Sequence, residues 1–199
     1  TSDIGIPACV CVLHDVSGSG PFIALGAGCG FDPVRILLHS LTEALMLRNW
    51  TAKNTIPFHL PSGYTPFCTL GVGIRERASL WARDDASEKS TAVLLSGATV
   101  SFAAFAAHGL KFRSSKAELA YVVETLASRG PDYEVFYFRA EHEILKESGY
   151  KSVRIIIPAL VPLYMHEENA VLGANRIKKA RREMEFSMSA LNPFPHPFL

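Results

Sequence analysis

The chain has 199 residues, 48% of them hydrophobic and 20% charged, and carries a net charge of +1 at pH 7. That is the composition of a globular protein long enough to bury a core. Near-neutral charge argues against a nucleic-acid or anionic-membrane surface, and no apolar run reaches the roughly 20 residues of a membrane-spanning helix.

The four cysteines, Cys9, Cys11, Cys29 and Cys68, form neither a disulfide framework nor a C-x2-C metal pattern. They read as core thiols, and the cytoplasm is the expected compartment. The chain starts at Thr1 rather than Met, which reads as an excised or processed product. One domain is the economical organisation, spanning 1–199 with a Pro-rich tail over 187–199.

Residues 6–13 read as a first strand, apolar with Val10 and Val12. A turn follows from Asp15 to Pro21, rich in Ser and Gly, and residues 22–27 make a second strand to close a hairpin. Gly26-Ala-Gly-Cys-Gly30 is expected to break that strand. Asp32 then reads as an N-cap and Pro33 as the first residue of a helix ending near Trp50. Val34, Leu37, Leu38, Leu41, Ala44 and Leu45 recur at helical spacing and read as its buried stripe. His39 and Glu43 lie one turn apart on another face and read as an i,i+4 contact.

Residues 51–70 read as loop. Residues 74–88 carry Arg75, Glu76, Arg77, Arg83, Asp84, Asp85 and Glu88, and read as a solvated segment. Ser115 and Glu118 have capping-box spacing and open a helix running to Arg129, which Gly130 stops. Tyr133–Arg139 reads as a strand, 141–148 as a short helix and 153–157 as an apolar strand ended by Pro158. Arg154, inside that last strand, calls for an ion-pair partner or a phosphate. A terminal helix is expected over 177–186. The last residues, Pro193-Phe-Pro-His-Pro-Phe-Leu199, read as an extended polyproline-like tail. Helices interleaved with strands give an α/β (α+β) class, a mixed β-sheet with packed helices.

Gly26, Gly28 and Gly30 lack the spacing of a dinucleotide fingerprint. The amides before the Pro33 helix remain a weak candidate for an anion. His108 and His142 have no ligand spacing.

Several segments in one order resemble the C-terminal half of the YcaO family. They are Asp3-Ile-Gly-Ile-Pro7 before a strand, Gly26–Gly30 with Asp32-Pro33, and Leu41-Thr-Glu-Ala-Leu45 with Arg48. Val153-Arg-Ile-Ile-Ile-Pro-Ala-Leu160, Leu172-Gly-Ala-Asn-Arg176 and the Pro193, Pro195, Pro197 triplet follow. The resemblance implies an ATP- and Mg2+-dependent enzyme that phosphorylates a peptide carbonyl oxygen, turning it into a leaving group as a Cys, Ser or Thr side chain closes an azoline ring. Its product class is a ribosomal peptide natural product.

Carried over residue by residue, the resemblance implies a metal and nucleotide role for Glu43. It implies nucleotide contacts for Arg48 and Arg154, and a C-terminal carboxylate on Leu199 that points toward the active site. It also implies partners: the missing N-terminal YcaO half or a protein standing in for it, and a precursor peptide; a half-domain would expose apolar surface, which makes a homodimer a further option. A non-catalytic module that binds precursor peptide or scaffolds a complex is the rival reading. Met46 stands where the family has Gln, Val34 and Arg35 where an acid is common, His39 where Arg is common, and Ala159 where Gly is usual. Met cannot replace a hard oxygen ligand of Mg2+.

Overall fold

The computed structural model describes residues 4–60, 62–65, 72–83, 99–171, 175–183 and His196. They form strands β1 (Ala8–His14) and β2 (Ile23–Cys29), and helices α1 (Pro33–Asn54), α2 (Ile74–Trp81), α3 (Phe102–Ala106) and α4 (Ser115–Ala127). Strand β3 (Phe136–Ala140), helix α5 (Glu143–Glu147), strand β4 (Ser152–Ile156) and helix α6 (Asn175–Glu183) follow. The class is mixed α/β, with helices and small antiparallel sheets. Among the described residues, no helix is long and apolar enough to cross a membrane.

Two compact units divide the chain. The first comprises Thr1–Lys111, Leu163–Ala170 and Ser187–Leu199, the second Phe112–Pro162 and Val171–Phe186.

In the first unit β1 and β2 pair antiparallel from Ala8↔Cys29 to His14↔Ile23. Asp15 organises the connecting loop, accepting from Ser17 N (3.0 Å), Ser17 Oγ (2.7 Å) and Gly20 N (2.7 Å). The Ser17 hydroxyl bond is the first reason its carboxyl sits below the usual range. The helix α1 starts as its residues dictate: Asp32 Oδ1 accepts from Val34 N at 3.0 Å and Arg35 N at 3.2 Å, with Pro33 in the first turn. It runs one turn beyond Trp50, to Asn54.

Two expectations change here. Strand β2 is not broken at Gly26 but continues through Gly28 to Cys29. The buried stripe of α1 is Ile36, Ser40, Ala44, Leu47 and Thr51, whereas Val34, Leu37, Leu38, Leu41 and Leu45 are exposed. One cause explains both. A Cβ on Gly26 would overlap the Ser40 carbonyl oxygen and the Ala44 amide nitrogen, and one on Gly28 would lie 2.7 Å from the Ile36 carbonyl oxygen. The bare strand lets the helix backbone approach closely, so small Ser40 and Ala44 face inward while Leu37, Leu38, Leu41 and Leu45 turn outward.

Residues 74–83 are not a solvated segment as a whole, although Arg75 is exposed. Helix α2 buries Arg77, Ala78, Ser79, Leu80 and Trp81, and Trp81 joins Ile23 and Leu25 in the core, with Val12 and Phe22 against them. Its first turn is closed by Glu76, whose Oε2 accepts from Gly73 N at 3.1 Å. The expected charges at 84–88 lie outside the described residues.

In the second unit the cap of α4 is Ser114, one residue before the expected Ser115; its Oγ accepts from Ala117 N at 3.2 Å. Glu118 therefore falls one position past the capping-box site. Gly130, at φ +121°, follows the helix end. Strands β3 and β4 pair antiparallel from Phe136↔Ile156 to Ala140↔Ser152. Leu126 is the one buried residue of this unit among those described. The tail prolines and Leu199, like Leu172, lie outside the described residues.

Candidate functional site

The residues singled out from sequence fall in both units. Glu43 lies in the third turn of α1, exposed, and its Oε2 accepts from the Ala27 amide of β2 at 2.6 Å. Because Gly26 brings α1 against β2, a carboxylate there reaches the strand's backbone. The expected His39–Glu43 contact is replaced by this bond. His39, Glu43 and Met46 share one exposed face of the helix at i, i+4 and i+7; Met46 is 67% exposed.

Arg48 points elsewhere. Five positions from Glu43 is a turn of about 140° around the helix. A Cβ on Gly20 would lie 2.8 Å from Arg48 Nη2 and 3.1 Å from Asp15 Oδ2, and Arg48 helps to hold Asp15 ionised. Its guanidinium therefore attends the β1–β2 loop. Arg154 belongs to the second unit, exposed on β4 opposite Phe138. The ion pair expected from its apolar strand is absent among the described residues, because the strand is solvent-facing and a charge there needs no partner. The candidate anion position at the start of α1 is taken by the Asp32 carboxylate on Val34 N and Arg35 N.

A Mg2+ site needs several hard oxygens. Among the described residues no group of three His, Cys, Asp or Glu could hold a metal ion. Glu43 offers one carboxylate, with one of its oxygens engaged by Ala27. These residues do not by themselves fit Mg-ATP. Cys9 and Cys11 are half-buried thiols, with Ser40 Oγ 3.6 Å from Cys9 Sγ; burial pushes the Cys11 thiol up. Cys29 is exposed, and Cys68 lies outside the described residues.

A second polar cluster, in the first unit, was not legible as a site. Arg77 and Glu167 are both fully buried. Arg77 Nη1 donates to the Met165 carbonyl at 2.7 Å and stands 4.0 Å from Glu167 Oε1. The remaining guanidinium nitrogens, Nε and Nη2, and both Glu167 oxygens have no hydrogen-bond partner among the described residues. Burial pushes the Glu167 carboxyl up and the Arg77 guanidinium down, while their mutual attraction opposes both shifts. Burial, then the Glu167 charge, raises Tyr64 to about 12. The signal in the sequence was an arginine on the stripe Ile74, Arg77, Ala78, Trp81, where an apolar residue is the rule.

The tail meets this cluster through His196. Its ring packs edge-on against Tyr164, centroids 4.5 Å apart, and Nε2 donates to the Tyr164 carbonyl at 2.8 Å. Burial, the larger effect, and Arg77 hold His196 below its ordinary 6.5, against the Tyr164 bond, which raises it. The folded state thus binds fewer protons than the unfolded one. Stability from this group is full above about 6.5 and is lost as pH falls through the lower folded value. In urea titrations, the stability difference between the native chain and His196→Gln should shrink between about pH 7.5 and pH 5. Gln keeps a donor for Tyr164, and taking the difference cancels the opposite trend of Glu167. A pH-independent difference would contradict this.

A family model described as YcaO cyclodehydratase, ATP- and Mg2+-binding, matches residues 1–161. The match takes in Glu43, Arg48, Arg77 and Arg154 and stops before Glu167 and the tail. No curated protein matches the chain.

Proposed function

The chain belongs to the YcaO family, and from that premise we propose that it supplies the Glu43 side of an ATP-dependent peptide-modifying site completed by a second segment. The family is described as ATP- and Mg2+-binding cyclodehydratases. The finer reading is heterocyclisation of Cys, Ser or Thr in a ribosomal precursor peptide, with backbone amides activated by phosphorylation. The partners are the N-terminal YcaO half, or a protein in its place, and the precursor peptide.

One observation carries this reading. Glu43 is a carboxylate on an exposed helix face, fixed by the 2.6 Å bond from Ala27 N rather than by a cation. Among the described residues no side chain neutralises its charge, and its direction is set by backbone. A pre-oriented acid needs little reorganisation when a cation arrives. Among the described residues no group of three metal-ligating side chains forms around it, and that is the reason a completing segment is required.

Glu43→Gln tests the proposal cleanly. The amide oxygen still accepts from Ala27, so the fold should hold. In the complex isolated from the protein's own cells, Mg-ATP affinity should fall at least about tenfold, because one anionic oxygen ligand is lost. Thermal melting should be unchanged. Unaltered affinity would favour the second reading, a non-catalytic module that binds peptide or scaffolds a complex. Met46, exposed on the same face where an oxygen ligand is expected, is the observation in favour of that reading.

A further inference from the structure

The β3–β4 hairpin is exposed on both faces. Opposite residues in an antiparallel pair share a face, so Phe136, Phe138, Arg154 and Ile156 line one side, and Tyr137, Arg139, Val153 and Ile155 the other. Tyr137 is 73% exposed, Phe138 66% and Ile155 59%. Two strands alone are marginal in water, and apolar surface on both faces makes this pair more so. Each outer edge is unpaired among the described residues, so each offers backbone N–H and C=O groups in a row.

Charge narrows what fits. The strands FYFRA and SVRII carry Arg139 and Arg154, one on each face, and no acid. The carboxylates nearest in sequence to β3 are Glu134, before it, and Glu141, after it, which Lys146 holds at 2.8 Å. An added strand projects alternate side chains to opposite faces, and so would meet the one arginine of the strand it joins on one face and that strand's apolar side chains on the other. We propose that an outer edge of this hairpin receives a third strand from a separate polypeptide, an extended segment alternating acidic and large apolar residues. Its backbone completes the ladder, its carboxylates meet the arginine of the strand it joins, Arg139 on β3 or Arg154 on β4, and its apolar residues cover that strand's apolar side chains on the opposite face. This does not depend on the nucleotide reading.

Three labelled synthetic peptides test it by fluorescence anisotropy: alternating glutamate and isoleucine, alternating lysine and isoleucine, and the glutamate peptide with alternate amides N-methylated. The glutamate peptide should bind saturably, and the other two at least about tenfold more weakly, since one lacks the charge match and the other the ladder donors. Arg139→Glu with Arg154→Glu should transfer the preference to the lysine peptide. Should that variant not fold, hydrogen exchange on the native chain decides: the glutamate peptide should slow the amides of β3 or β4. Equal binding of the three peptides, or no binding, would overturn the proposal. So would outward-facing amides of both β3 and β4, those not bonded across the β3–β4 ladder, already protected in the free chain or in a dimer of it.

Discussion

Gly26→Ala is expected to lift α1 off β2 and to cost about 3 kcal/mol or more. Overpacking usually costs about 1–3 kcal/mol where side chains can give way. Here the new methyl meets the Ser40 carbonyl oxygen and the Ala44 amide nitrogen, both backbone, so no rotamer change relieves the overlap. Ala44→Gly should therefore fail to rescue it, which separates a backbone clash from a side-chain one. Because Glu43 is oriented by Ala27, one residue along the strand, the displaced helix should lose Mg-ATP affinity as well. Urea unfolding of the single and double variants checks this. A loss below about 1 kcal/mol, or rescue by Ala44→Gly, would contradict the packing described for α1.

The second large effect is at Arg77. Removing one partner of a buried ion pair leaves the other charge uncompensated and costs about 3–5 kcal/mol. Arg77→Ala also strips the Met165 carbonyl of its 2.7 Å donor. The loss should be greatest at neutral pH, where Glu167 would otherwise be ionised, and smaller in acid, where its raised carboxyl is already protonated. The sign follows from linkage: a carboxyl raised on folding favours the folded state at low pH, and that advantage fades as pH rises through its folded value. Arg77→Met with Glu167→Leu should recover most of the loss, because apolar replacement of both partners avoids burying a lone charge. Denaturant titrations of the single and double variants, at acid and neutral pH, read this directly. A single variant no less stable than the double would contradict it.

Much of the element order was legible because it depends on local chemistry. Asp32-Pro33 starts α1 as its capping chemistry dictates, and the aromatic and β-branched runs near 136–140 and 152–156 do pair as strands. The inward face of α1 was not legible. Helical spacing assigns leucines to the core, but the glycine-lined β2 selects Ser40 and Ala44 by size, and that choice is tertiary. Arg77 was missed because charge counts treat residues 74–88 as one polar run, whereas burial is decided turn by turn.

The candidate site was legible in part. Glu43 was chosen for its match to a family position, and its orientation by Ala27 emerged only from the packing of α1 on β2. Arg48 was chosen the same way, yet its guanidinium attends the Asp15 loop. Arg154 was read as calling for an ion-pair partner or a phosphate because its neighbours are apolar, but those neighbours are exposed. An apolar strand says nothing about whether the surface that covers it belongs to the same unit.

Native mass spectrometry of this chain, isolated from its own cells and given Mg-ATP, tests the central claim most directly. The account predicts nucleotide mass on a complex that holds the chain and a second polypeptide, none on the chain alone, and a smaller loaded fraction on the Glu43→Gln complex. Nucleotide on the lone chain, or undiminished on the Glu43→Gln complex, would contradict it.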